Sequence, residues 1–303
     1  MRPALRAGPV RVRVPATSAN LGPGFDALGL ALGLCDDVVV RAGEDGLRVD
    51  IAGEGAALAR DESHLVVRAM RAAFDRLGGQ PRGLELSCAN RIPHGRGLGS
   101  SAAAVVAGVL LARALVLGGE RVLPDAAVLA LAADLEGHPD NAAACLLGGL
   151  TIAWTDAAGA QALRLDCDPR IRPVVLVPPF AASTARARAL LPDSVLHGAA
   201  AANAGRAALL VAALSAAPQR LFAATEDWLH QGYRAAAMPQ SAALVDELRA
   251  DALAAVISGA GPTVLVLAQD QAELDRARSR APSGWEVHAL DVAERGAQLA
   301  PYR

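Results

Sequence analysis

The stretch Arg91–Ala103 reads R-I-P-H-G-R-G-L-G-S-S-A-A, with three alternating glycines. Ser100 and Ser101 then open a run of small and aliphatic residues up to Leu117, which predicts a buried helix. The first backbone N–H groups of a helix have no partner within it, and the helix dipole is positive at that end. A glycine loop before such a helix favours phosphate binding, whereas a tight turn with a serine cap is the simpler alternative.

The spacing of these glycines differs from the two common phosphate loops. It is neither the G-x-G-x-x-G of dinucleotide-binding folds nor the G-x-x-x-x-G-K-[ST] of P-loop proteins. The chain of 303 residues contains no lysine, because all 29 of its basic residues are arginine. This excludes the lysine of a P-loop ATPase, of a protein kinase or of a pyridoxal phosphate enzyme. Backbone amides, hydroxyls, a metal ion and arginine must therefore provide any phosphate contacts.

The composition is that of a soluble globular protein of enzyme size, with 53% hydrophobic and 20% charged residues. Only 3% of residues are aromatic and the net charge is −2, so we do not expect a nucleic-acid partner. No apolar run reaches about 20 residues, and no signal peptide is evident, so we expect no membrane association. The four cysteines lack C-x-x-C spacing, which favours free thiols and a cytoplasmic location.

The order of predicted elements is mostly strands first, then alternating helices and strands. Pro15–Leu32 is predicted as a loop because Pro and Gly recur in it. The predicted strands are Val10–Val14, Cys35–Arg41, Leu47–Ile51, Gly83–Ala89, Gly148–Trp154, Val174–Val177, two strands within Asp251–Leu267, and Trp285–Ala289 as the last. The predicted helices are His64–Leu77, Ser100–Leu117, Pro124–Leu135, Ser183–Leu191, Gly205–Leu214 and Arg220–Leu229. Leu163–Pro173 is predicted as a loop, and a domain boundary there would divide the chain into residues 1–167 and 168–303.

Two groups of polar residues are candidates for a site. Glu136–Asn141 reads E-G-H-P-D-N and places metal-binding and hydrogen-bonding side chains between two apolar helices, which favours a function. A carboxylate with a serine hydroxyl is a sufficient protein contribution for Mg²⁺. Asn20 and Asp26 flank a Gly-Pro turn, and taken alone they are more typical of turn-stabilising residues.

Three stretches together resemble, in order, the three signature motifs of the GHMP small-molecule kinases. They are P-A-T-S-A-N-L-G-P-G-F-D from Pro15, I-P-x-x-x-G-L-G-S-S-A-A from Ile92 and S-G-A-G-P-T from Ser258. With E-G-H-P-D-N, S-T-A-R-A-R-A-L-L-P and Y-R, the chain is specifically similar to homoserine kinases. The resemblance extends from about Val10 to about Leu267. It implies a two-domain α+β fold, with a left-handed βαβ unit in the N-terminal nucleotide-binding domain and a ferredoxin-like C-terminal domain.

The resemblance also implies an activity and its residues. A cytoplasmic homodimer would use ATP and Mg²⁺ to phosphorylate L-homoserine in threonine synthesis. ATP would be bound by Pro93, His94, Gly95, Arg96, Gly97, Leu98, Gly99, Ser100, Ser101, Gly259 and Gly261, and Mg²⁺ by Ser100 and Glu136. The amino acid would be bound by Asn20, Asp26, His138, Thr184, Arg188 and Arg234, and catalysis would involve Asn20, His138, Asp140 and Asn141. The chemistry agrees, because arginine binds a carboxylate bidentately and an aspartate suits an ammonium group.

Several alternatives stay open at the level of the sequence. Either Asp140 or Asn141 faces the acceptor hydroxyl, and either Arg186 or Arg188 binds the carboxylate. Many relatives have Asn where this chain has His64, so the base contact at that position is not assigned. A GHMP kinase for another small alcohol, of the mevalonate or shikimate type, is the alternative function, although an arginine pair with Asp26 favours an amino acid.

Overall fold

The computed structural model describes residues 3–301, which form two β-sheets and the helices around them. The strands are β1 (Val10–Asn20), β2 (Gly24–Gly43), β3 (Gly46–Gly53), β4 (Gly83–Asn90), β5 (Leu150–Asp156), β6 (Gly159–Leu165), β7 (Arg172–Val177), β8 (Ala255–Ile257), β9 (Val264–Ala268), β10 (Glu286–Ala289) and β11 (Gln298–Pro301). The helices are α1 (Leu65–Arg76), α2 (Ser100–Leu115), α3 (Gly119–Val122), α4 (Asp125–Glu136), α5 (Asp140–Leu147), α6 (Thr184–Arg188), α7 (His197–Ser215), α8 (Leu221–Ala224), α9 (Gln231–Arg234), α10 (Pro239–Ala250) and α11 (Gln271–Ser279). Two 3₁₀ turns lie at Pro218–Arg220 and Ala235–Ala237.

The first sheet has the strand order β11-β1-β2-β4-β3, and β5 pairs with the first part of β2 and with β6. Its pairs are antiparallel except β3 with β4, which run parallel and are joined through α1. β3, α1 and β4 thus form a βαβ unit, as the family resemblance implies. The turn after β2 does not make a hairpin, because β4 lies between β2 and β3.

The prediction of a loop over Pro15–Leu32 is wrong, because two long strands fill it. β1 continues to Asn20, β2 begins at Gly24, and only the tight turn between them remains. The ladder changes register between Pro15 and Ala16, which is where a strand accommodates proline. The hydrophobic side chains here are buried on the sheet, and that burial outweighs the breaker residues.

Other predicted boundaries also change. Trp285–Ala289 is not the last strand, since β11 follows it and pairs with β1. β6 extends to Leu165, into the predicted loop Leu163–Pro173. The helix predicted over Arg220–Leu229 is reduced to α8, and Tyr233 and Arg234 lie on α9 rather than in a link. Strands with long-range partners and one-turn helices have little local sequence pattern, which explains these errors.

The second sheet is antiparallel, in the order β10-β7-β9-β8, and α10 and α11 contribute apolar side chains to its core. The core of the first sheet contains α2, whose residues from Ala102 to Leu115 are mostly buried, as predicted. Gly108 lets α1 approach closely, because a Cβ there would lie 2.5 Å from the carbonyl oxygen of Val66. α2 therefore packs directly against α1, and the glycine loop leads into this packed helix.

Two further findings concern α7 and the cysteines. By length and composition alone α7 could cross a membrane, and 22% of its most apolar window is buried within the protein. All four cysteines are free thiols, as predicted. Burial raises the pKa of Cys88 to about 12 and that of Cys167 to about 11, so neither thiol is ionised at neutral pH.

Candidate active site

A cavity of about 310 Å³, here called the polar cavity, lies where the three motifs meet. It collects most of the predicted site residues: Asn20, Asp26, Gly95, Gly97, Gly99, Ser100, Ser101, Glu136, His138, Asp140, Asn141, Thr184, Arg188, Arg234, Gly259 and Gly261. Four predicted residues of the loop do not line it. Pro93 and Leu98 are buried beneath the loop, His94 lines a neighbouring cavity, and Arg96 binds carbonyl oxygens of Pro178 and Pro179.

The glycine loop needs its glycines. Gly95, Gly97 and Gly99 have φ angles of 64°, 78° and 67°, in the left-handed region that favours glycine. The N-cap of α2 is Gly99 with no side-chain cap, so the proposed serine cap is wrong. The first N–H groups of α2 therefore have no side-chain cap and remain available to an anion.

The first and third motifs hold each other and the loop in place. The Asn20 side-chain amide donates to the Gly259 carbonyl at 2.8 Å and accepts from the Asp26 backbone N–H at 3.0 Å. The Ser258 hydroxyl donates to the Gly97 carbonyl at 2.6 Å. Both ends of the Asn20 amide are thus used within the protein, which gives this residue a structural role at the cavity wall.

Glu136 is the last residue of α4, and its carboxylate faces the start of α2. Its Oε2 accepts a hydrogen bond from the Ser101 hydroxyl at 2.8 Å, and burial raises its pKa. Ser100, the predicted metal ligand, lines the same cavity. Within residues 3–301 no group of three His, Cys, Asp or Glu side chains could hold a metal ion. A cation beside Glu136 would therefore take further ligands from phosphate and water, as Mg²⁺ does.

His138, Asp140 and Asn141 form a connected chain at the start of α5. His138 Nδ1 lies 2.9 Å from Asp140 Oδ1, and this hydrogen bond raises the pKa of His138. The same oxygen accepts from the Asn141 backbone N–H at 2.7 Å. The Asn141 side-chain oxygen accepts from the hydroxyl of Thr17, a buried residue that the sequence did not single out. Because Nδ1 is engaged, His138 can offer Nε2 to a ligand.

Arg188 and Asp26 form a bidentate ion pair at the cavity wall. Both distances between guanidinium nitrogens and carboxylate oxygens are 2.8 Å. Arg188 lies at the end of α6, whose N-cap Ser183 accepts a hydrogen bond from the Arg186 backbone N–H. Of the two arginines of α6, Arg188 lines the cavity and the exposed Arg186 does not.

Arg234 is a buried cation, only 3% exposed, that also lines the polar cavity. Its Nε has no hydrogen-bond partner, and within the described residues no carboxylate pairs with it. Burial and the nearby charge of Arg188 lower its pKa. Its guanidinium lies 5.1 Å from the ring centroid of Phe25, and that of Arg188 lies 5.5 Å from it. A buried guanidinium without an anion is costly, so this position suits an anionic ligand.

A second cavity of about 450 Å³, here called the apolar cavity, lies on the other side of the glycine loop. Gly95, Ser100 and Ser101 line both cavities, so the phosphate-type loop is their common wall. His64 lines the apolar cavity, is 6% exposed, and has a buried Nδ1 without a partner. Burial lowers the pKa of His64. A mostly apolar cavity with a few polar groups suits a planar base.

Comparisons with known proteins agree with this geometry. The family model of the GHMP kinase N-terminal domain matches residues 64–149, and that of the GHMP kinase C-terminal domain matches residues 202–287. The homoserine kinase of Streptomyces avermitilis is 62% identical over 300 residues, which are 99% of this chain and 98% of that protein. The homoserine kinase of Streptomyces coelicolor is 61% identical over 99% of this chain and 97% of its own. The crystal structure of homoserine kinase from Cytophaga hutchinsonii superposes with a TM-score of 0.81 at 25% identity, covering 96% of this chain and 97% of that one.

The two-domain fold and the glycine loop at a helix N-terminus thus define a GHMP small-molecule kinase. Within that class, the chain belongs to the homoserine kinase family.

Proposed function

We propose that this chain transfers the terminal phosphoryl group of ATP to the side-chain hydroxyl of L-homoserine, giving O-phospho-L-homoserine for threonine biosynthesis. The observation that carries the proposal is the charge arrangement of the polar cavity. It combines a carboxylate, Asp26, with the guanidinium groups of Arg188 and Arg234. We also infer a homodimer from the family resemblance, and a cytoplasmic location from the free cysteines.

These charges are complementary to an α-amino acid. The ammonium group of homoserine matches Asp26, and its carboxylate matches Arg234, which pairs with no carboxylate within residues 3–301. Asp26 and Arg188 pair with each other at 2.8 Å. The bound zwitterion would replace this internal ion pair by two new ones, between its ammonium group and Asp26 and between its carboxylate and Arg234. A sugar has no such charges, and a simple carboxylic acid would leave Asp26 without an ammonium partner.

The nucleotide fits the remaining features. The triphosphate would lie on the glycine loop and the N-terminus of α2, with the base in the apolar cavity. The γ-phosphate would then face the polar cavity across the wall that the two cavities share. ATP is the phosphate donor of GHMP kinases, and this placement brings donor and acceptor together without a lysine.

The residues beside the loop fit Mg²⁺. The Glu136 carboxylate, with the hydroxyl of Ser100 or Ser101, provides the oxygen ligands that this ion prefers. When bound, Mg²⁺ supplies neutralisation of phosphate charge. Burial raises the pKa of Glu136, and a bound cation would favour its ionised form.

The protein's part in the reaction is mainly alignment. Phosphoryl transfer requires a positioned acceptor and charge neutralisation more than covalent chemistry. His138, held at Nδ1 by Asp140, would place its Nε2 against the acceptor hydroxyl. Asp140 is buried and also accepts from the backbone of Asn141, so we assign it the role of orienting His138.

The proposal is tested by measuring ADP release with Mg-ATP and four acceptors: L-homoserine, shikimate, mevalonate and galactose. We expect turnover with L-homoserine and at most background with the other three. Heat-denatured protein and a reaction without acceptor are the controls. Turnover on a non-amino-acid alcohol and none on homoserine would replace the proposal by its mevalonate- or shikimate-type alternative.

A further inference from the structure

His230 lies behind the polar cavity and belongs to none of the motifs described above. Its side chain is 0% exposed. Nε2 lies 2.7 Å from the carbonyl oxygen of Gly22, and Nδ1 lies 3.4 Å from Nη1 of Arg234. The ring stacks on Phe25, with centroids 5.1 Å apart and planes at 28°. The histidine therefore connects the turn between β1 and β2 to the arginine of α9.

These two partners determine the protonation state of the ring. A guanidinium group only donates hydrogen bonds, so Nδ1 must accept from Arg234. A carbonyl oxygen only accepts, so Nε2 must carry the proton. The neutral imidazole with its proton on Nε2 satisfies both contacts. An imidazolium ion would direct a second N–H at Arg234 and place a second positive charge 3.4 Å from it.

Both ends of the amino-acid site depend on this contact. Gly22 lies in the turn that separates Asn20 from Asp26, and this turn packs against the segment before α9. A Cβ at Gly22 would lie 2.6 Å from the carbonyl oxygen of Thr225. On the other side, the Arg234 side chain has no hydrogen-bond partner besides His230 among the described residues. His230 thus links the position of the ammonium partner to the position of the carboxylate partner.

We propose that neutral His230 is a positioning residue for the amino-acid substrate. It holds Arg234 where the substrate carboxylate binds and holds the β1–β2 turn that presents Asp26, and its protonation weakens amino-acid binding. This inference rests on the proposed function, because it assumes that Arg234 and Asp26 bind an amino acid.

The charged groups that face His230 determine the pH range over which its ring becomes protonated. Asp227, in the segment before α9, has its Oδ2 3.8 Å from Nε2, and Arg234 and Asp26 contribute from α9 and β2. The Asp227 carboxylate is already engaged, since it accepts from the backbone N–H groups of Leu229, His230 and Gln231. Burial, the largest effect, lowers the pKa of His230 below its ordinary value of 6.5. The ring is therefore neutral at pH 7 and becomes protonated only in acid.

Two substitutions separate the two contacts. His230→Gln keeps an N–H that can reach the Gly22 carbonyl and loses the acceptor for Arg234. His230→Asn keeps an acceptor near Nδ1 and loses the contact to Gly22. We expect His230→Gln to raise the KM for L-homoserine about tenfold or more, with the KM for ATP and kcat within about twofold of wild type. His230→Asn should raise it less. His197→Gln, at an exposed histidine of α7, is the matched control and should change nothing.

The pH dependence of kcat/KM gives a second readout, which would not change if His230 had a merely structural role. For the wild type, kcat/KM for L-homoserine should fall as the pH decreases below 6.5, and the part of this fall that comes from His230 should be absent in both variants. His138, whose pKa is raised, titrates at higher pH, and its contribution should be the same in the wild type and the variants. Unchanged homoserine KM values in both variants, equal increases of the KM for ATP and for homoserine, or an acid profile of both variants identical with that of the wild type would overturn the proposal.

Nitrogen-15 NMR of the histidine ring tests the same inference without any turnover. At about pH 7.5 we expect a neutral His230 with its proton on Nε2. An imidazolium ion or the Nδ1–H tautomer would overturn the proposal, even if neither variant folds. Absence of homoserine turnover in the wild type would instead contradict the proposed function and leave the NMR result to decide the state of His230.

Discussion

Asp26 and Arg188 form a bidentate pair in the polar cavity, with both distances at 2.8 Å. Beside them, Arg234 is buried and pairs with no carboxylate in the part of the chain that the structure describes. A pair and a single cation together present the charges that complement a zwitterion, and the amino-acid specificity of the proposed reaction lies in these three residues. Asp26→Ala is the substitution that tests this, because Asp26 is the only one of the three that can bind an ammonium group.

We expect Asp26→Ala to raise the KM for L-homoserine about ten- to hundredfold, since a hydrogen bond between charged groups contributes about 1.5–3 kcal/mol. The KM for ATP should stay within about twofold of wild type. Asp50→Ala is the control, because Asp50 is an exposed carboxylate on β3 in a surface pair with Arg48. An equal increase of the KM for both substrates would show that Asp26 acts only as a turn-stabilising residue.

In the proposed reaction, the glycine loop and α2 are the elements that bring the two substrates together. The loop is the common wall of the two cavities, and the first and third motifs fix its shape. Gly97 packs closely against the third motif, since its φ is 78° and a Cβ would lie 2.3 Å from the Ser258 carbonyl oxygen. A side chain at this position must move the loop or the third motif.

Gly97→Ala should therefore raise the KM for ATP by about tenfold or more and lower the melting temperature. Gly205→Ala is the matched control on α7, where a Cβ meets no atom within 4 Å. That change should leave both KM values unaltered and stabilise the protein by up to about 1 kcal/mol. Both are checked by steady-state kinetics and thermal unfolding. An unchanged KM for ATP in Gly97→Ala would show that the loop does not bind the nucleotide.

Elements with a local pattern could be predicted from the sequence, and those that depend on distant partners could not. The glycine spacing and the apolar run after Ser100 predict the loop and α2, because both patterns are local. The strand content of Pro15–Leu32 escaped prediction, since Pro and Gly indicate breaks while burial on the sheet is not visible in the sequence. β11 lies nearly 290 residues from its partner β1, and no local pattern indicates that pairing.

The same limit applies to the site. The motifs place Asn20, Asp26, Glu136 and His138 at one cavity, as expected. The choice of Arg188 over Arg186 depends on which side of α6 faces the cavity, and that is decided by tertiary packing. Thr17 and His230 were missed because their roles consist of contacts to residues far along the chain.

At the scale of the whole molecule, the site exists only because both sheets contribute to it. The glycine loop and the Glu136–Asn141 segment belong to the part of the chain around the first sheet, whereas Arg188, Arg234 and the third motif belong to the part around the second. Arg96 ties the two together through the carbonyl oxygens of Pro178 and Pro179. In the proposed reaction, this arrangement places the amino-acid site and the phosphate site against one shared loop.

The most direct test of this account is a crystal structure with L-homoserine and a non-hydrolysable ATP analogue. We expect the substrate ammonium group at hydrogen-bond distance from Asp26, the carboxylate on Arg234, and the phosphates on the N–H groups that begin α2. The Asp26–Arg188 pair should be opened or shared with the substrate. Homoserine bound outside the polar cavity, with that pair intact and Arg234 still without an anion, would contradict the account.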